Sequence, residues 1–171
     1  MSYLDLPPSE RLVYAPLDEN YARMWIPFLS DESAMRYFPK LNISPEERAR
    51  QWIDSQLERY RNGTYGMYAL HLKKTNDFIG QCGLLKQEVD GKQEVEIGYH
   101  LLPQYWGNGY ATEAAKHFKK NAFQQQMADS LISIIHKDNL LSQAVAKRNG
   151  MHKDFQTNWK GMEVIVFRTR K

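Results

Sequence analysis

The stretch from Lys92 to His136 limits what this chain can fold into more than any other part of it. In KQEVEIGYHL, Val95, Ile97, Tyr99 and Leu101 alternate with Glu94, Glu96, Gly98 and His100. That is the period of a strand with one apolar and one polar face. Pro103 closes it, and after the glycine pair of QYWGNG the residues Ala111, Ala114, Ala115, Phe118 and Ala122 recur at helical spacing. DSLISIIH then reads as a short apolar strand. A helix between two strands implies a crossover and hence a parallel pair. Upstream, TYGMYALHLKK and FIGQCGLLKQE flank Thr75-Asn76-Asp77, and Asp90-Gly91 is a two-residue turn signal. These three strands form an antiparallel meander, so the whole sheet is expected to be mixed.

The remaining elements are shorter. ERLVYAPL reads as a strand, and a helical stretch from about Asp18 to Leu29 carries Met24, Trp25, Phe28 and Leu29, with Pro27 and Pro39 bracketing an irregular region. Ser44-Pro45-Glu46-Glu47 supplies an N-cap, a proline at the first helical position and a glutamate three residues after the cap. Ala49, Trp52, Ile53, Leu57 and Tyr60 follow as an apolar stripe, ended by Asn62-Gly63. NLLSQAVAKRNG reads as a helix capped by Asp138 or Asn139, and the C-terminus as a hairpin about Lys160-Gly161.

Composition removes several classes of function. The chain has 171 residues, 42% hydrophobic and 25% charged, which suits one globular domain over 1–171. No apolar run exceeds four residues, against about 20 for a membrane-spanning helix, so no membrane partner is expected. The N-terminus lacks a basic leader followed by an apolar stretch, and a cytoplasmic location is expected. A charge of +3, with basic and acidic residues interleaved, falls short of a nucleic-acid footprint. The single cysteine, Cys82, allows neither an internal disulfide nor a multi-cysteine zinc site, and no metal is expected. Cys82 lies within a strand and reads as a buried structural thiol.

The residues that point to chemistry are Gln104-Tyr105-Trp106-Gly107-Asn108-Gly109, which open a helix directly after a strand. Free amides at a helix start attract anions, and glycines let a phosphate approach the backbone. No Gly-Lys-Ser/Thr follows, and Thr112 stands where G-x-G-x-x-G requires glycine. Two readings remain open on the residues alone: a phosphate cradle, or a glycine-rich turn that starts a helix tightly against a sheet.

EIGYHLLPQYWGNGYATEAA resembles the acyl-CoA-binding core of the GNAT superfamily of N-acetyltransferases, whose signature is Q/R-x-x-G-x-G/A after a central strand. Gln104, Gly107 and Gly109 fill its fixed places. HKDNLLSQAVAKRNGM is similar to the family's next segment, with Asn139 and Ser142 ahead of a helix. ERLVYAPL taken with IGYHLLPQYWGNGYATEA resembles the branch of ribosomal-protein-alanine N-acetyltransferases. The resemblance implies an α/β (α+β) fold with a mixed, mostly antiparallel sheet of about seven strands and about four helices. It implies acetyl-CoA as cosubstrate, bound where the fourth and fifth strands splay.

On that resemblance, backbone groups of His100, Leu101 and Leu102 hold the pantetheine arm, Gln104 belongs to the binding loop, and the amides of Tyr105, Trp106, Gly107, Asn108, Gly109 and Tyr110 receive the pyrophosphate. Asn139 and Ser142 meet the thiol end, and Lys116 and Lys147 are candidates for the 3′-phosphate. An amine attacks the thioester, which needs a neutral amine, an oxyanion donor and a proton for the thiolate. A backbone N–H near Leu101 is the implied oxyanion donor. Glu96 on the polar face is the first candidate base, with an exposed, paired carboxylate as the alternative; His100 on the same face is the second. The helix beginning near Asn139 carries no tyrosine, which leaves Ser142 or water as the acid. The first strand has Ala15-Pro16 where relatives commonly have Arg-Pro. Trp25, Tyr37, Phe38, Trp52 and Tyr60 fall in the region of the acceptor wall. The expected function is acetyl transfer to a primary amine, a protein N-terminus or a small molecule, by a monomer or homodimer. The alternative is an acyl-CoA-binding sensor without catalysis.

Overall fold

The computed structural model describes residues 6–171. Its elements, in chain order, are β1 (Leu12–Pro16), α1 (Tyr21–Ser30), α2 (Glu32–Met35), α3 (Pro45–Arg61), β2 (Tyr65–Leu72), β3 (Phe78–Val89), β4 (Lys92–Leu101), α4 (Tyr110–Gln124), β5 (Ser130–His136), α5 (Leu140–Arg148), β6 (His152–Trp159) and β7 (Met162–Arg170). The strands form one sheet in the order β1-β2-β3-β4-β5-β7-β6. Every pairing is antiparallel except β4 with β5. The mixed sheet of seven strands is the expected fold class. Among the described residues no helix is long and apolar enough to cross a membrane.

Local chemistry accounts for most boundaries. Ser44 Oγ accepts from the Glu47 amide at 3.1 Å, Pro45 opens α3, and Glu46 and Glu47 lie at the positive end of its dipole. Two features differ from the reading of the sequence. Pro27 lies inside α1 rather than at its edge, because burial of Trp25, Phe28 and Leu29 outweighs the backbone bond that proline forfeits. The single turn α2 is too short for periodicity to reveal, and it is held by Asp31, which accepts from the Ala34 amide at 2.9 Å.

The sheet is covered on both faces. Tyr68, Cys82 and Tyr99 are cross-strand partners on one face, where Phe118 of α4 meets Tyr14 and Tyr68. Cys82 is fully buried there, and burial pushes its thiol well above the ordinary range, as a structural thiol requires. Met67, Gly83 and Gly98 align on the opposite face, as do Ala69, Gln81 and His100, and the aromatic rings of α1 and α3 pack against His100.

The parallel contact between β4 and β5 is limited to Glu96 opposite Ile132. Beyond it the strands part. The closed end is pinned by Arg168 of β7, which donates to Glu94 of β4 at 2.8 and 2.9 Å, to Asp154 of β6 at 2.6 Å and to Ser130 Oγ of β5 at 2.8 Å. The Arg168 and Glu94 side chains are largely buried, so removing one partner strands a charge. Arg168→Ala is expected to destabilise the protein by about 2–4 kcal/mol, whereas replacing both residues, Arg168→Met with Glu94→Leu, costs less. Urea titration of the two variants checks the difference.

Candidate active site

A cleft of about 920 Å³ opens where β4 and β5 part. At one end lies the loop into α4. Gly107 and Gly109 have φ of +77° and +79°, a left-handed backbone that glycine adopts without strain. Tyr105 and Trp106 donate their amides to Leu102 and Pro103 within a 3-10 turn. The amides from Gly107 to Thr112 have no partner among the described residues, and α4 has no side-chain cap. The unpartnered donors therefore begin two residues later than the expected stretch from Tyr105 to Tyr110. Two backbone groups expected for the pantetheine arm are engaged within the protein: the Leu101 carbonyl accepts from Trp106 Nε1 at 2.8 Å, and the Leu102 amide donates to Ile79 at 2.9 Å.

The loop is braced from outside. Asn108 Nδ2 donates to the carbonyls of Tyr105 and Trp106, at 3.2 and 3.0 Å. Arg11 donates to the Asn108 carbonyl at 2.9 Å and to Glu113 of α4 at 2.7 Å, and lies 4.5 Å over the Tyr110 ring. The arginine that reaches this loop thus stands just before β1, at position 11, while Ala15 lies within the strand. Arg148 of α5 reaches the same end, donating to Thr112 Oγ1 at 3.2 Å. It lines the cleft, whereas Lys116 and Lys147, although exposed, do not. The side chains of Gln104, Asn108 and Leu102 are also absent from the lining; those of Tyr105, Trp106 and Tyr110 contribute to it.

At the middle of the cleft, Glu96 is buried on the face turned toward α1 and α3. Burial raises its pKa above the ordinary carboxylate range, only partly offset by Gln87 Nε2, at 2.7 Å, and the Ile134 amide. Such a carboxylate is a stronger base than an exposed one. Across the gap, Asn139 caps α5 by accepting from the Ser142 amide at 3.1 Å. Tyr99 bridges the parted strands: its hydroxyl donates to the Ser142 carbonyl at 2.8 Å and lies 3.4 Å from Ser142 Oγ. Burial raises its pKa, so the phenol stays protonated.

His100 lies at the far wall, its ring centroid 5.3 Å from Phe38, 5.4 Å from Trp52 and 6.0 Å from Phe28. Burial lowers its pKa to about 4, so the ring is neutral at pH 7. Of the aromatic residues singled out in the sequence, Tyr37, Phe38 and Trp52 line the cleft, while Trp25 and Tyr60 are core. Gln87 and Tyr99 were not legible as site residues. Arg11 left a trace, as the arginine of ERLVYAPL, and Arg148 another, as the basic neighbour of Lys147 in AVAKRNG.

Strand splay, amide loop and facing polar groups define an acyl-CoA-dependent transferase site. Residues 11–152 match the acetyltransferase (GNAT) domain family, and the chain belongs to it. It is thus an acyltransferase that uses acetyl-CoA. Among similar proteins, the uncharacterized protein YkkB of Bacillus subtilis (strain 168) is 28% identical over 135 residues, 79% of this chain and 77% of YkkB. The acetyltransferase from Agrobacterium tumefaciens str. C58 superposes with a TM-score of 0.84 at 23% identity, over 100% of this chain and 97% of that one. The ribosomal L7/L12 alpha-N-protein acetyltransferase RimL, in complex with coenzyme A, has a TM-score of 0.77 at 19% identity, over 96% and 97% of the two chains. The likeness to RimL is one of fold.

The neutral His100 has a consequence for stability. Its pKa is about 4 when folded and roughly 6.5 when unfolded, so the unfolded state binds more protons between these values. Its contribution is complete above about pH 6.5 and is lost as pH falls toward 4, with a ceiling of about 3 kcal/mol. His100→Phe is expected to lose less stability than the parent between pH 7 and pH 4.5, as read from urea midpoints at both pH values.

Proposed function

We propose that the whole chain, 1–171, acts as one domain that transfers the acetyl group of acetyl-CoA to a primary amine within a ternary complex. The observation that carries this reading is the placement of six unpartnered amides, Gly107 to Thr112, at one end of a cleft whose centre holds the buried Glu96. The amides and the α4 dipole suit a pyrophosphate, and Arg148 is near enough to add charge to the same end.

The catalytic roles follow from where each group lies. Glu96, its basicity raised by burial, takes a proton from the incoming ammonium, through a water if the amine stands back from it. The amine nitrogen attacks the thioester carbonyl carbon, and a backbone N–H of the strand near Leu101 stabilises the oxyanion. As the C–S bond breaks, its electron pair stays on sulfur, which receives a proton from Ser142 Oγ; the second proton that the nitrogen loses as the amide forms passes through water to restore the Ser142 hydroxyl, which the neighbouring Tyr99 hydroxyl orients. The first proton, held by Glu96, returns to solvent, so of the two protons given up by the ammonium one ends in solvent and one, in effect, on sulfur. His100, enclosed by rings and weakly basic, serves as wall rather than base. A buried carboxylate at the centre of the cleft favours catalysis over a sensor role, which needs no base.

Gly107→Glu places a side chain at φ +77°, in open space beside the unpartnered amides; the backbone cost is about 1–2 kcal/mol, and acetyl-CoA binding is expected to disappear in calorimetry. Unchanged affinity would remove the cradle from the reading. With an amine acceptor in hand, Glu96→Gln is expected to lower kcat by about 10²- to 10⁴-fold and to abolish the acidic limb of the pH–rate profile. That limb should lie above the ordinary glutamate range in the parent, and a profile equal in both proteins would exclude Glu96 as base.

A further inference from the structure

The wall of the cleft opposite the phosphate loop selects among amines. Glu96, Gly98 and His100 occupy the same face of β4, so the carboxylate and the imidazole stand about 13 Å apart along the strand with no side chain between them. Gly83 is the cross-strand partner of Gly98. Two adjacent strands therefore lack a side chain at one level, and the buried Met67 and Leu85 side chains cover it; a Cβ at Gly98 would stand 3.4 Å from each. Met67 and Leu85 line the cleft here as an apolar floor, with a carboxylate at one end and the rings of Phe28, Phe38 and Trp52 at the other. Trp52 has already spent its indole N–H on Gln81, at 3.0 Å, and offers only its apolar surface.

Charge restricts the occupant further. The charged residues lining the cleft are Glu96, Arg36, Arg148 and Lys160. None of the three cations has a carboxylate partner among the described residues. Arg148 stands at the phosphate end; at the acceptor end, one buried carboxylate with Arg36 and Lys160 gives a second or third ammonium of the acceptor no counter-ion, and leaves it facing like charge.

We infer that the acceptor is a primary monoamine with a flat apolar body, an arylalkylamine in chemical class, seated on the Met67–Leu85 floor that rests on Gly98, with its nitrogen toward Glu96 and its ring toward the Phe28–Phe38–Trp52 wall. Polyamines and aminoglycosides are excluded by the same lining. This rests on the transferase reading above, and it makes Gly98 a specificity-determining position.

The test uses the full chain with acetyl-CoA and follows CoA release with 2-phenylethylamine, tryptamine, spermidine and kanamycin. The arylalkylamines are expected to exceed the polycations in kcat/KM by about 10-fold or more. Gly98→Ala makes only an ordinary contact and should stay within about 3-fold of the parent, whereas Gly98→Leu displaces the Met67–Leu85 floor and should cut kcat/KM for 2-phenylethylamine by about 10- to 200-fold. Acetyl-CoA affinity should be unchanged in both. Trp52→Ala, an independent variant should Gly98→Leu fold poorly, is expected to raise KM for tryptamine more than it lowers kcat. Spermidine or kanamycin turned over as well as the arylalkylamines overturns the inference, as does an arylalkylamine rate unaffected by both Gly98→Leu and Trp52→Ala. Loss of acetyl-CoA binding by the parent protein defeats the transferase reading itself; bound acetyl-CoA with no arylalkylamine turnover defeats this inference alone.

Discussion

Everything functional in this protein depends on two neighbouring strands that do not stay paired. Strands β4 and β5 share one parallel contact, Glu96 opposite Ile132, and then separate. Unpaired backbone within a sheet is costly unless something else satisfies it. Here β4 remains laddered to β3 along its length and β5 to β7, so each strand keeps one complete edge. The Ser133 hydroxyl takes up the Ile97 carbonyl at 2.8 Å, and Tyr99 spans the gap to the Ser142 carbonyl. The Arg168 network holds the closed end. A sheet pinned at one end and parted at the other is a cleft, and its remaining unsatisfied backbone is what a ligand can use.

The two sides of the parted pair do different chemistry because a strand presents alternate residues to opposite faces. On β4, Tyr99 points toward α4 and α5 while Glu96, Gly98 and His100 point toward α1 and α3. The proposed base, Glu96, and the Tyr99–Ser142 pair thereby lie on opposite faces of one sheet without any loop having to place Tyr99 or Glu96. Burial then sets their character. It raises the pKa of Glu96, so the carboxylate is a useful base; it holds the Tyr99 phenol protonated; and it makes His100 a neutral ring that belongs with its aromatic neighbours.

Much of this was legible in the chain. Alternation from Glu94 to Leu101, the Gly107-x-Gly109 pair and the Ser44-Pro45-Glu46-Glu47 cap each follow from local physics, and each stands where the sequence put it. The crossover between β4 and β5 required a parallel pair, hence a mixed sheet. Glu96 and Ser142 were recognisable as polar groups near the cleft. The amide donors were misplaced by two residues because the 3-10 turn that consumes those of Tyr105 and Trp106 has no distinct sequence signal.

The sequence by itself determined the order of elements, the face on which Glu96 and His100 lie, and the glycines at the start of α4, since these depend on period, turn chemistry and backbone sterics within a few residues. Tertiary structure alone decided which distant groups complete the site. Arg11 braces the loop before α4 from 97 residues away, Gln87 holds Glu96, and Arg148 displaces the two expected lysines at the cleft. It also set Gly98, inconspicuous in a strand, beneath the Met67 and Leu85 side chains that line the cleft. Those outcomes depend on how strands are registered and helices docked, which no local run of residues encodes.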